Sequence, residues 1–216
     1  MYKILQEDDA LIVVHKPAGL AVQTKAVWEE DLESLLRRHR QTQGDASDYI
    51  GVVHRLDQPV EGILVFAKTP EAASALSEQV QDPDGAMQKE YRAVVFGKMP
   101  ADHGTLTDYL RKDARTNTSS VTSDRRAGKR SILDYEVILS EEHTQILRIR
   151  LKTGRHHQIR VQLSHAGCPI LGDTKYKSPE SEAYAKARGI RQLQLFADHL
   201  VFLHPKDRRK MEFFLK

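Results

Sequence analysis

Apolar positions along the chain fall into short runs broken by polar turns. Tyr2 to Leu5 and Leu11 to Val14 read as two strands, split by a turn at Glu7-Asp8-Asp9. Pro17-Ala18-Gly19 then interrupts regular structure. From Asp31 to Arg40, Leu32, Leu35 and Leu36 share one stripe while Arg37, Arg38 and Arg40 take solvent positions, which predicts a short amphipathic helix. A polar connector, Gln41 to Asp48, leads to Val52-Val53, and Ile63 to Ala67 reads as a buried strand. Thr69-Pro70-Glu71 opens a helix: threonine caps, proline sits at the first helical position and a carboxylate follows in the first turn. That helix should stop near Asp82-Pro83-Asp84-Gly85.

Glu90 to Phe96 is strand-like and ends at Gly97. Residues 111–130 are rich in Arg, Thr, Ser and Asp and read as a long exposed excursion. Ile132 to Leu139 and Gln145 to Lys152 predict a hairpin. In its second arm Leu147, Ile149 and Leu151 alternate with Arg148, Arg150 and Lys152, giving one buried and one basic face. His157 to Ala166 has helical spacing, and Leu200 to Leu203 and Glu212 to Leu215 alternate again. Neither an internal repeat nor a βαβ rhythm is visible. The pattern describes one mixed α/β domain rich in hairpins.

Composition narrows the class. The 216 residues are 40% apolar and 29% charged, enough for a hydrophobic core and unlike a disordered or collagen-like chain. A single cysteine, Cys168, excludes a disulfide framework and fits a reducing compartment. No apolar run approaches the length of a membrane span, and acidic residues come too early for a secretory signal. A cytoplasmic protein is expected. The net charge of +3 hides an uneven distribution: residues 108–130 carry +4 and residues 148–216 carry +9. Cations gathered this way suit a polyanion, although basic and acidic faces that merely offset each other give the same totals.

Three clusters hold candidate chemistry. His54-Arg55-Leu56-Asp57-Gln58-Pro59 is a polar wedge between apolar segments. It reads either as a tight turn whose aspartate caps amides or as a carboxylate held rigidly beside low-dielectric walls. Lys89-Glu90-Tyr91-Arg92 places a tyrosine in a half-buried strand, ordinarily a core position. Lys152-Thr153-Gly154-Arg155-His156-His157-Gln158-Ile159-Arg160 runs from a turn into a helix, where amides, Arg and His suit an anion. Adjacent histidines should point to different helix faces, and no third ligand stands at metal spacing, so no metal is expected. Phosphate-loop, nucleophile-elbow and zinc-protease motifs are missing from the sequence.

In this order the clusters resemble the RluA type of the RNA pseudouridine synthases, over nearly the whole chain. His15-Lys16-Pro17-Ala18-Gly19-Leu20 resembles an early segment of that group. His54-Arg55-Leu56-Asp57 with Gly62 to Lys68 resembles its catalytic motif. Lys89 to Val95 and Thr153 to Val161 resemble the second and third motifs, and Gly167 to Asp173 and His204-Pro205 follow. Val60-Glu61 stands where the family usually has Thr-Ser, and Phe196 where it usually has His.

The resemblance implies an α+β fold: one domain over residues 1–216 whose long, mostly antiparallel sheet carries the active-site cleft, without a separate N-terminal RNA-binding domain. It implies isomerisation of uridine in ribosomal or transfer RNA, with Asp57 as nucleophile and no cofactor. Arg160 would supply the opposing charge and Tyr91 would stack on the uracil and help remove the proton from carbon 5. Arg55 would fill the space left by the flipped nucleotide. His54, Leu56, Arg155 and Gln158 complete the substrate set. Arg125, Arg126, Lys129, Arg130, Arg148 and Arg150 are expected at the RNA backbone, on charge distribution alone. RNA is the expected partner and a monomer the expected state. Two rivals are an RNA-binding protein that has lost catalysis, and a phosphodiesterase using His54, His156 or His157. The second would need a metal or another acid–base group.

Overall fold

The computed structural model describes residues 1–24, 26, 28–82 and 85–215. The chain forms two compact units, one of residues 1–89 and 197–216 and one of residues 90–196.

In the first unit, β1 (Lys3–Glu7), β2 (Leu11–Lys16), β4 (Glu61–Ala67) and β10 (Leu195–Leu203) are neighbours in that order. β11 (Lys210–Phe214) pairs with β10, and the two-residue β3 (Gly51–Val52) pairs with β4. The β1–β2 and β2–β4 pairs are antiparallel. Alternation puts Leu11, Val13, Ile63, Val65, Leu200 and Phe202 on one face, packed with Ala72 and Leu76 of α2 (Pro70–Gln81). Ile12, Val14, Leu64 and Phe66 are buried on the other face, so these strands are apolar at every position rather than at every second one. α2 starts as expected: the Thr69 side chain accepts the Ala72 amide. It ends at Gln81, and Pro83 and Asp84 of the expected stop lie outside the described residues. α1 (Leu32–Gln43) is capped by Asp31 and runs three residues beyond the expected Arg40, to a left-handed Gly44.

In the second unit the order is β5 (Gln88–Phe96), β9 (Thr144–Leu151), β8 (Lys129–Ser140), β6 (His103–Asp113) and β7 (Thr118–Val121). Each of these neighbouring pairs is antiparallel. Residues 111–130, expected as a loop, instead hold the end of β6, all of β7 and the start of β8. Clusters of charged residues and of Ser and Thr fill this stretch, so backbone pairing forms without the apolar signature that marks a strand in sequence. α3 (Gln158–His165) packs on β7 and β6. Pro169 to Leu171 adds to the edge of β5 through Phe96 N–H to Pro169 O at 2.9 Å and Leu171 N–H to Val94 O at 2.9 Å. α4 (Pro179–Ala187) carries a Ser178 capping box and went unrecognised in the sequence. Among the described residues, no helix is long and apolar enough to cross a membrane.

Candidate active site

In the first unit the segment from Val53 to Val60 joins β3 to β4, and Val60 N–H donates to Asp57 O at 3.0 Å to close a turn. Leu56 and Val60 are buried on either side of half-buried Asp57, while Arg55 points to solvent. His54 is anchored: its Nε2 accepts the Val65 amide of β4 at 3.2 Å. Burial, then the Lys89 ammonium, pull its imidazole down to about 3, so His54 is neutral and its Nε2 lone pair is committed to the backbone.

Against this turn lies a lysine from the early family-like segment, to which sequence reading gave no role. Lys16, at the end of β2, is fully buried. Its Nζ donates to Pro17 O at 3.0 Å, Leu20 O at 2.8 Å and Gln58 O at 3.1 Å. Gly19 N–H also donates to Gln58 O at 2.9 Å, and the Gln58 amide returns a bond to Gly19 O at 3.1 Å. One ammonium therefore ties the Pro17–Leu20 loop to the residue after Asp57. Desolvation lowers Lys16 to about 8 against the upward pull of the Asp57 and Glu61 carboxylates. Glu61, a departure from the family pattern, faces His15 at 2.8 Å. The adjacent Gly62 is obligatory, because a Cβ there would stand 2.4 Å from the Ala197 carbonyl oxygen of β10.

In the second unit, Tyr91 is buried in β5 opposite Ile149 of β9. Glu90 beside it accepts Arg150 Nε at 2.6 Å, and Arg148 pairs with Glu136 at 2.9 Å. Lys152 lies 3.8 Å from Asp134. The face expected to be uniformly basic is thus a ladder of opposed charges, because cross-strand neighbours are acidic. By contrast, Arg125, Arg126, Lys129 and Arg130 at the β7–β8 end of the sheet are exposed, with no ion pair among the described residues. Arg125 lies over the Tyr109 ring at 5.4 Å.

Gln158, expected at the substrate, is buried and its amide is spent within the unit. Its oxygen accepts Thr153 Oγ1 at 2.8 Å and the Arg155 amide at 3.0 Å, and its nitrogen donates to Ile132 O and Gln162 Oε1, both at 3.0 Å. Arg155 is exposed, with Nε 3.3 Å from Arg130 O. The two histidines do not face apart: their rings stack at 3.7 Å. His157 has a φ of 54°, so it lies outside the helical geometry on which that expectation rested. His156 Nδ1 meets Ser119 Oγ at 2.9 Å, and His157 Nδ1 meets the Tyr176 hydroxyl at 2.7 Å.

Arg160, in the first turn of α3, is 3% exposed. Its Nε and Nη2 donate to Asp173 Oδ2 and Oδ1, each at 2.7 Å. Its guanidinium carbon lies 5.0 Å from the Tyr176 ring centre. Burial alone would raise the Asp173 carboxyl, but the bonds and charge of Arg160, with the Lys175 and Tyr176 amides, hold it below the usual carboxylate range. Asp173 closes one of the family-like segments, yet its pairing with Arg160 carried no signal in the sequence. Among the described residues no three His, Cys, Asp or Glu side chains form a metal-holding group.

Residues 10–165 match the family model described as RNA pseudouridylate synthase. The chain is 31% identical to the ribosomal large subunit pseudouridine synthase D of Zymomonas mobilis, over 98% of this chain and 68% of that one. It is 34% identical to the synthase of the same name from Xylella fastidiosa, spanning 62% of its length. Against the tRNA pseudouridine synthase C of Haemophilus ducreyi it is 32% identical, over 96% of this chain and 88% of that one. The fold is that of human RNA pseudouridylate synthase domain containing 4, with a TM-score of 0.80 at 22% identity, covering 99% of this chain and 87% of that one.

Proposed function

Because this chain belongs to the RNA pseudouridylate synthase family, we propose that it converts uridine in RNA to pseudouridine. The observation that carries the reading is Asp57: a half-buried carboxylate in a turn braced by a buried lysine, inside the segment that matches the family. In the reaction the bond from ribose C1′ to N1 of uracil breaks, the base turns and C1′ joins C5. The C5 proton leaves and N1 gains one, so no oxidant, reductant or cofactor is consumed. Asp57, ionised, is the nucleophile, toward the sugar or the base. Arg160 supplies compensating positive charge. Tyr91 stacks on the uracil and assists loss of the C5 proton.

Arg55, exposed next to Asp57, occupies the space of the flipped nucleotide, with His54, Leu56, Arg155 and Gln158 shaping the surroundings. Arg125, Arg126, Lys129 and Arg130 hold RNA phosphates, and Arg148 and Arg150 contribute less because acids already balance them. Residues 1–216 act as one catalytic domain, as a monomer in the cytoplasm. The relatives named for ribosomal and transfer RNA support those two classes as substrates. Mapping pseudouridines in total RNA from cells with and without the protein tests this. The expected result is loss of pseudouridine at one or a few uridines of ribosomal or transfer RNA. Identical maps would overturn it.

A further inference from the structure

We infer that Asp173 and Tyr176 are positioning residues that fix the direction of the Arg160 guanidinium. The inference rests on the reading of Arg160 as a group acting at the uridine. Arginine has several rotatable bonds, and holding its charge on one line costs rotamer freedom. Here that freedom is already removed. Two bonds of 2.7 Å from Nε and Nη2 to the two oxygens of one carboxylate set the guanidinium plane and its rotation together. The Tyr176 ring, 5.0 Å from the guanidinium carbon, covers one face. Nε and Nη2, on one edge of the guanidinium, are thus both held by Asp173.

The clamp is itself clamped. Asp173 Oδ1 accepts the Lys175 amide at 2.8 Å and the Tyr176 amide at 3.2 Å. The Tyr176 hydroxyl accepts the Ser119 amide of β7 at 2.8 Å and bonds His157 Nδ1 at 2.7 Å. Gly172, just before Asp173, has a φ of 74°, and a Cβ there would lie 2.0 Å from Gln192 O. Only glycine brings the chain through that point. Both charged side chains are nearly free of solvent, at 3% and 1% exposure. A buried ion pair seldom adds stability over an apolar pair of the same size. What this one supplies is a fixed direction for a charge.

The test measures steady-state kinetics of the full chain by tritium release from C5 of uridine in a ribosomal or transfer RNA transcript. Asp173→Asn and Tyr176→Leu should each lower kcat on the order of 10²-fold while KM moves less than about threefold, the pattern of a misaimed group. Tyr176→Phe keeps the ring and should hold kcat within about threefold while losing thermal stability. Should Asp173→Asn fail to fold, the Tyr176 pair decides. Wild-type kcat in Asp173→Asn or Tyr176→Leu, or equal losses in Tyr176→Phe and Tyr176→Leu, would overturn the inference. A wild type that releases no tritium refutes the enzymatic reading instead. The Arg160 Nε–H resonance then decides the positioning: it should exchange slowly in wild type and quickly in Tyr176→Leu, and equal exchange refutes it.

Discussion

Lys16 shows how a single side chain can be costly and still be retained. Its ammonium is buried and desolvated, yet three carbonyls converge on it and two carboxylates act on it from nearby. Its amine titrates near 8 in the folded protein and near 10.5 when exposed. Below about 8 both states are protonated and the burial cost is constant. Between these values the unfolded chain binds more protons than the folded one, so stability rises with pH, by about 3 kcal/mol at most for this group. Lys16→Met removes the titration. Urea unfolding at pH 7, 8.5 and 10 should therefore show wild type gaining on the variant as pH increases. Parallel stabilities across that range would contradict the assignment. Residues of this kind are poorly legible in sequence. Lys16 follows an apolar run and looks like its polar end, and only the meeting of two loops shows what it does. Asp57, Tyr91 and Arg160 became candidates because each stands within a contiguous motif. The partners Asp173 and Tyr176 did not, because 13 and 16 residues separate them from Arg160 and local pattern does not record that pairing.

At the scale of elements, legibility followed the apolar signal. α2 was readable from Thr69-Pro70-Glu71, and the same signature stands at Ser178-Pro179-Glu180 before α4. The second passed unnoticed because α4 is nine residues long and buries only Ser181 and Ala185, leaving no apolar stripe. β7 and the ends of β6 and β8 were hidden for a related reason: they are solvated strands whose stability lies in the ladder rather than in burial. That ribbon presents the exposed cations, whereas β9 presents cations already paired across strands. The two sets should therefore differ in their contribution to RNA affinity. Each cation on a single-stranded phosphate adds about 0.7 to the slope of log affinity against log salt. Replacing Arg125, Arg126, Lys129 and Arg130 with Gln should lower that slope by about 3, and replacing Arg148 and Arg150 by less than about 1. Filter binding to an RNA transcript over a salt series reads both. Equal slope changes per cation would contradict the distinction.

At the scale of the whole molecule, the chain forms two compact units, each with a buried charged side chain held by several partners. In one, a buried lysine braces the turn that carries Asp57; in the other, a carboxylate and a ring stiffen an arginine. Both devices hold a buried charge in a fixed geometry. The most direct test of the account is tritium release from C5 of uridine in an RNA transcript, comparing wild type with Asp57→Asn. The account predicts steady release by wild type, and release at background by a variant that keeps its melting temperature and RNA affinity. Release by Asp57→Asn at the wild-type rate would contradict it.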